Sequence, residues 1–359
     1  MALQGSGAIS LDDMHVEVGG TTGSNATIND ADIRGLISKT AGASMAFNEW
    51  YGASALTPRI VFFGGSIAGG DNTNVMEYVN PASTGNATDF GDLESTKRGS
   101  PEGMASSTRG VIPPSGGGYE NYADDGTLDG DPQRTVEYIT IASTGNSTDF
   151  GDTLTNYASS CFSSNIRGIM GANSGKNNIE YVTIASTGDT TDFGNNTTNA
   201  TGGAYNSMGS STTRGLFAGG SGGSVEIHYV TISSTGDTTD FGNLHTQSQN
   251  GSGCSSNTRG LAGGGQSSAG TAAAKQIDYV TIASTGNAAD FGDLSSYHYQ
   301  RASASQNSGR GLWGGGHSDT NEVLYITIAS TGNSTDFGDL TVVKGNLGGL
   351  SNSHGGIAA

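Results

Sequence analysis

The chain has 359 residues, 60 of them glycine, with 33% hydrophobic and 13% charged residues and a formal net charge of −18. So lean an apolar content at such a charge marks a disordered chain, unless the apolar residues recur at equivalent places where stacked repeats bury them jointly. The acidic balance excludes a nucleic-acid surface, which needs clustered Lys and Arg, and the lack of a long apolar run excludes membrane insertion.

The first 55 or so residues do not repeat with the rest. "NDADIRGLIS" predicts a short capped helix, and Phe47, Trp50 and Tyr51 form an aromatic cluster too large to stay exposed on so small a segment. That cluster is a candidate anchor. "SGAISLDDMHVE" and "SMAFNEWYG" resemble the short N-terminal modules of virion proteins in tailed bacteriophages, including tail-fibre and other appendage proteins. The resemblance implies that residues 1–52 attach the chain to other virion proteins; residues 53–58 read as a linker, and the module is the candidate contact for a homo-oligomer.

From residue 59 the chain repeats six times. Each unit opens with an arginine (Arg59, Arg109, Arg167, Arg214, Arg259, Arg310) and later carries a tyrosine (Tyr78, Tyr138, Tyr181, Tyr229, Tyr279, Tyr325). A D-F-G triplet follows at Asp89, Asp149, Asp192, Asp240, Asp290 and Asp336. One D-F-G resembles the magnesium motif of a protein kinase, but six of them without a VAIK lysine or an HRD loop read as a structural repeat. From Tyr to the D-F-G phenylalanine the spacing is 12 in all six units, whereas Arg to Tyr varies from 14 to 29. A rigid hairpin between adaptable loops has this signature.

The local chemistry agrees. "IEYVTIAS" is a strand buried on both faces, "STGN" a turn, "TDFGDL" the return strand and "RGLFAGG" a strand closed by glycines. "CSSNT" ends a short strand of small residues, so each unit holds four strands. Six such units predict the blades of an all-β propeller. Double glycines (Gly64-Gly65, Gly219-Gly220, Gly263-Gly264, Gly314-Gly315) followed by an acidic residue and tyrosine (Glu77-Tyr78, Glu137-Tyr138, Glu180-Tyr181, Asp278-Tyr279) resemble the Kelch repeat. Phe stands where Kelch repeats hold tryptophan, and the glycine pair is degraded in "IPPSGGG" and "IMGANSG". "GLSNSHGGIAA" aligns with "GCSSNTRGLAG", so a C-terminal strand is expected to complete blade 1 and close the ring. Cys161 and Cys254 fall at nearly equivalent places in different units and are expected as free thiols.

Antiparallel strands place the "TRG" and "STGNST" turns on one constant face and both variable loops on the other. The arginines and D-F-G aspartates then share a rim, where a repeated Arg–Asp pair is expected to brace the blades. The variable face receives the longest insertion, residues 115–134, and the loop 295–301. Tyr119, Tyr122, Tyr297, His298 and Tyr299 are its candidate contacts for a glycan or protein of a host surface, because aromatic faces stack on sugar rings. Asp125, Asp129 and Asp131 in "DDGTLDGD" are weak calcium candidates, lacking the full EF-hand spacing and its terminal glutamate.

The function this supports is a non-enzymatic virion appendage, localised on the particle, with no catalytic residues and no cofactor. A soluble lectin-like or protein-binding propeller is the alternative, and a propeller glycosidase, which would need two carboxylates at a fixed separation, ranks below it. A trimeric fibre or β-solenoid is the structural rival, disfavoured by the variable repeat length and the gapless closing strand.

Overall fold

The computed structural model describes residues 3, 10–18, 27–28, 33, 36, 57–67, 71–97, 102–114, 134–155, 158–172, 177–197, 206–220, 224–248, 251–265, 275–296, 302–305, 309–316 and 320–357. Pro58–Ile357 forms one compact unit, and Met1–Thr57 belongs to another.

In the N-terminal unit a helix spans Leu11–Glu17, inside the "SGAISLDDMHVE" stretch. Ser10 is its N-cap, accepting from the Asp13 N–H while the Asp13 carboxylate accepts from the Ser10 N–H. These reciprocal bonds satisfy two donors that a helix start leaves orphaned. Met14 is buried with Leu3 and Ile33. Most of "NDADIRGLIS", where the sequence predicted a helix, lies outside the described residues.

The second unit is a six-bladed propeller of four-stranded antiparallel sheets. Blade 2 runs Met104–Ala105, Arg109–Ile112, Thr135–Thr140 and Thr148–Asp152 from the axis outwards. Blade 3 has Ala158–Ser163, Arg167–Ala172, Asn178–Thr183 and Thr191–Asn195; blade 4 has Asn206–Ser210, Arg214–Ala218, Glu226–Thr231 and Thr239–Asn243. Blade 5 has Ser252–Ser255, Arg259–Gly263, Gln276–Thr281 and Ala289–Asp293; blade 6 has Ala302–Ser305, Arg310–Gly314, Glu322–Thr327 and Thr335–Asp339.

Blade 1 is built from both ends of this unit. Ile60–Phe63, Thr73–Val79 and Thr88–Lys97 come first, and Gly348–Ser351 returns as the innermost strand, pairing Ile60 with Ser351 and Phe63 with Gly348. A small second clasp pairs Ser66–Ile67 with Lys344–Gly345. The expected closure is therefore present. The first strands of successive blades touch one another in a closed ring around the axis.

Most of the propeller's core lies between blades in six apolar clusters, one per interface. The third strands explain how so few apolar residues suffice. In "NIEYVT", Ile179, Glu180 and Val182 are buried and Tyr181 is half-buried, so both faces of the strand are used. A fully buried Phe or Ile contributes roughly 1.5–3 kcal/mol, and the repeat places such residues at the same inter-blade positions six times.

Candidate functional site

The D-F-G triplets and the arginines form the constant face, where each arginine of the set lies over the tyrosine of its own blade, with its guanidinium carbon 4.3–5.0 Å from the ring centroid. Each of those tyrosines meets its D-F-G phenylalanine edge-on, at 5.7–6.1 Å between centroids. Each arginine also donates to a backbone carbonyl of the next blade: Arg59 to Ile141, Arg109 to Ile184, Arg167 to Ile232, Arg214 to Ile282, Arg259 to Ile328 and Arg310 to Pro81. The last of these closes the circle.

The expected Arg–Asp brace is thereby corrected. The arginines do brace the blades, but through carbonyls and tyrosine rings, and among the described residues no ion pair joins one of them to a D-F-G aspartate. The six aspartates sit exposed on the outermost strands, while the guanidinium is held inward over its ring. A planar guanidinium stacks and donates at once, which a carboxylate on a solvated edge offers no gain over.

The glycine of each triplet has a separate task. The turn of the next blade adds to the outer strand, as in Gly145 N–H to Phe90 O at 2.7 Å and Gly85 N–H to Phe337 O at 2.8 Å. Gly91 has φ +139°, and a Cβ there would sit 2.4 Å from Gly145 O. Only glycine permits both that conformation and that approach.

A second set of bonds comes from the acidic residue that precedes four of the six tyrosines. Glu77, Glu137, Glu180 and Asp278 are buried and face the preceding blade. Glu180 accepts from the N–H groups of Leu154 and Thr155, and Asp278 from those of His245 and Thr246. Glu77 accepts from Thr341 N–H and pairs with the fully buried Lys344 at 3.1 Å. Burial pushes the Lys344 ammonium pKa down, and Glu77 opposes that shift. His228 and Leu324 occupy the corresponding places in blades 4 and 6.

The remaining concave feature is the axis. Its lining is the innermost strands, whose small residues let six of them converge, and it encloses a cavity of about 40 Å³, room for a few water molecules. A belt of serines stitches the strands. Ser163 accepts from Ala105 N–H and donates to Ala105 O, Ser210 donates to Ser163 O, Ser255 to Ser210 O, and Ser305 to Ser255 O. Hydroxyls thus stand in for the ladder partners these inner edges lack.

The chain after the closing strand plugs the constant-face end of the cavity. His354 Nε2 lies 3.0 Å from Ala105 O and 3.1 Å from Ser163 Oγ, while its Nδ1 accepts from Gly356 N–H at 3.0 Å. That fixes a neutral ring with the proton on Nε2. Burial lowers the His354 pKa to about 4, against the opposing bond to Ala105 O. A Cβ on Gly356 would collide with Ser163 O, so the plug is moulded to the belt.

At the other end stands Glu102, just before the first strand of blade 2. Its Oε1 reaches across the axis to Gly253 N–H of blade 5 at 3.4 Å and Ser303 Oγ of blade 6 at 3.2 Å. Burial raises its pKa to about 7, opposed by its own N–H, Ser303 and Gly253. Cys161 and Cys254 are free and buried; burial first, and Glu102 second, push both thiols up, so they are protonated and unreactive.

Of the residues the sequence singled out for binding, Tyr119, Tyr122, Tyr297, His298 and Tyr299 lie outside the described residues, as do Phe47, Trp50 and Tyr51 and the calcium candidates Asp125, Asp129 and Asp131. What is described is where their loops start and end. Pro114 and Arg134 flank the long insertion, and Ser296 and Ala302 flank the other, all on the variable face.

The axial residues were missed by the sequence reading, although a signal existed. Aligned on the serine belt, Glu102 is a charged residue where blades 3, 5, 6 and 1 hold Ser160, Ser252, Ala302 and Gly348. No family model matches the chain, and no curated protein matches it.

Proposed function

We propose that this chain is a non-enzymatic structural protein of a phage virion, an appendage that presents its propeller from an N-terminal attachment module. The observation that carries the reading is how polar groups are used on the two faces. On the constant face the repeated arginines and turn amides bond to the neighbouring blade, and the belt serines and plug close the axis beneath it, so the repeated groups there serve to hold the ring together. The two insertions leave from the opposite face, where function is carried by loops on a rigid scaffold.

The virion assignment draws its support from the resemblance of residues 1–52 to phage attachment modules. Other virion proteins are the partners on that side. The variable face, through Tyr119, Tyr122, Tyr297, His298 and Tyr299, contacts a host-surface glycan or protein, or decorates the particle. The test is electron microscopy of particles from the source culture, labelled with an antibody to residues 58–357. Label fixed to virions and lost on deleting residues 1–52 supports the anchor. Protein found only free of particles overturns the virion reading and favours a soluble lectin-like propeller, which a glycan array with Tyr122→Ala and Tyr297→Ala then examines.

A further inference from the structure

The axial cavity contains a carboxyl group, Glu102, for which the described residues supply no counter-ion. Glu102 projects from blade 2 to the far side of the axis, and its carboxylate is met there by a backbone N–H and a serine hydroxyl. The described residues that line the cavity around it are neutral. The Cys161 and Cys254 thiols are protonated, His354 is a neutral ring with both nitrogens bonded, and the other lining residues are Ser, Gly, Ala, Leu and Phe. An ionised carboxylate taken from water into such a place is costly unless a positive charge accompanies it.

We propose that the variable-face end of the axial cavity is a binding site for a hard divalent cation of the calcium class, held by the Glu102 carboxylate with the Ser303 hydroxyl, the Gly253 carbonyl and water. The donors decide the class of ion. They are oxygens, which suit calcium, and the neighbouring sulfurs are protonated thiols that offer a soft metal no thiolate. Magnesium is disfavoured, because it demands near-ideal octahedral geometry and this donor set comes from three separate blades. Gly253 O already accepts from Ser303 Oγ at 2.6 Å, so these two oxygens lie together on the same wall as the carboxylate. One carboxylate among neutral oxygens makes a weak site, with dissociation constants on the order of 10⁻⁴–10⁻³ M. The net charge of −18 concentrates cations near the surface that feeds it. Bound there, the ion would tie blades 2, 5 and 6 together across the axis. This site is separate from the acidic loop of Asp125, Asp129 and Asp131, and it does not depend on the virion assignment.

The experiment uses the full chain, stripped with chelator and titrated with calcium, magnesium or terbium. Trp313 provides the reporter, because its Nε1 donates to Ser252 O, adjoining Gly253. Terbium in the site should give luminescence sensitised by that indole and displaced by calcium. Calcium should raise the melting temperature saturably, and magnesium far less. Glu102→Gln, neutral and of the same shape, should fold and lose both responses. Ser303→Ala should weaken binding several-fold, and the triple variant Asp125→Asn, Asp129→Asn, Asp131→Asn should keep both responses. Calcium and terbium responses that survive Glu102→Gln, or that vanish only in the triple variant, overturn the site. So does a wild-type protein with no saturable calcium response.

Discussion

Glu102 and His354 sit at opposite ends of one narrow cavity, and burial shifts their pKa values in opposite directions. Glu102 has a folded pKa of about 7 against an ordinary 4.5, so folding favours its protonated form. Its contribution to stability therefore declines as pH rises from about 4.5 to about 7 and stays low above that. His354 is held neutral, with a folded pKa of about 4 against 6.5, so its contribution is intact above 6.5 and is lost as pH falls towards 4. In calcium-free buffer, Glu102→Gln should be more stable than wild type at pH 8 and equal to it at pH 4. The shift sets a ceiling of about 3 kcal/mol on the difference, and access of channel water reduces it to about 1–2 kcal/mol. In that background stability should still fall between pH 6.5 and 4, and adding His354→Gln should flatten the fall. Urea unfolding at four pH values checks both slopes; a Glu102→Gln protein less stable than wild type at pH 8 would contradict the account.

At the scale of the element, each blade interface combines an apolar cluster, an arginine–tyrosine–phenylalanine column and, in most blades, a buried acid. The interface between blades 6 and 1 is the special case, because its acid is paired with a buried lysine. Glu77→Gln would leave the Lys344 ammonium buried and unpaired, a loss of about 3–5 kcal/mol. Blade 6 shows that an apolar residue fits this position, since Leu324 stands there fully buried. The double variant Glu77→Leu, Lys344→Met should therefore recover most of the loss, as measured by denaturant midpoint at constant m-value.

The same interface shows what the sequence disclosed. The fixed spacing of tyrosine and phenylalanine revealed the hairpin because its partners lie 12 residues apart. The partners of Glu77 lie more than 260 residues away at Thr341 and Lys344, so their roles emerge only once the ring closes. The D-F-G aspartates drew attention because they recur, yet they are the solvated members of the repeat, and the adjoining phenylalanine and glycine make the contacts. Glu102 carries the axial chemistry and appears once, so a reading built on repetition passed over it. The loops that carry the proposed binding residues are the non-repeated part, where the pattern gave no geometry.

For the whole molecule, stability depends on a circle whose last link is made by residues far apart in the chain. Gly348–Ser351 completes blade 1, and Leu347 and Leu350 enter the clusters on its two sides. Removing residues 346–359 deletes those two leucines and bares the inner edge of Ile60–Phe63. The two leucines alone represent about 4–10 kcal/mol at the usual cost of losing a buried leucine, comparable to the net stability of a whole domain. This truncation should abolish cooperative melting. Removing only 353–359 takes away the plug and leaves the ring closed. Cys254 should then stay protected, because its Sγ is packed against Gly311 in the blade 5–6 interface rather than by the plug. Thiol labelling followed by mass spectrometry separates the two: both cysteines should react fast in the longer truncation and slowly in the shorter one. Fast labelling in both would mean that the plug, not the closing strand, holds the inner strands together.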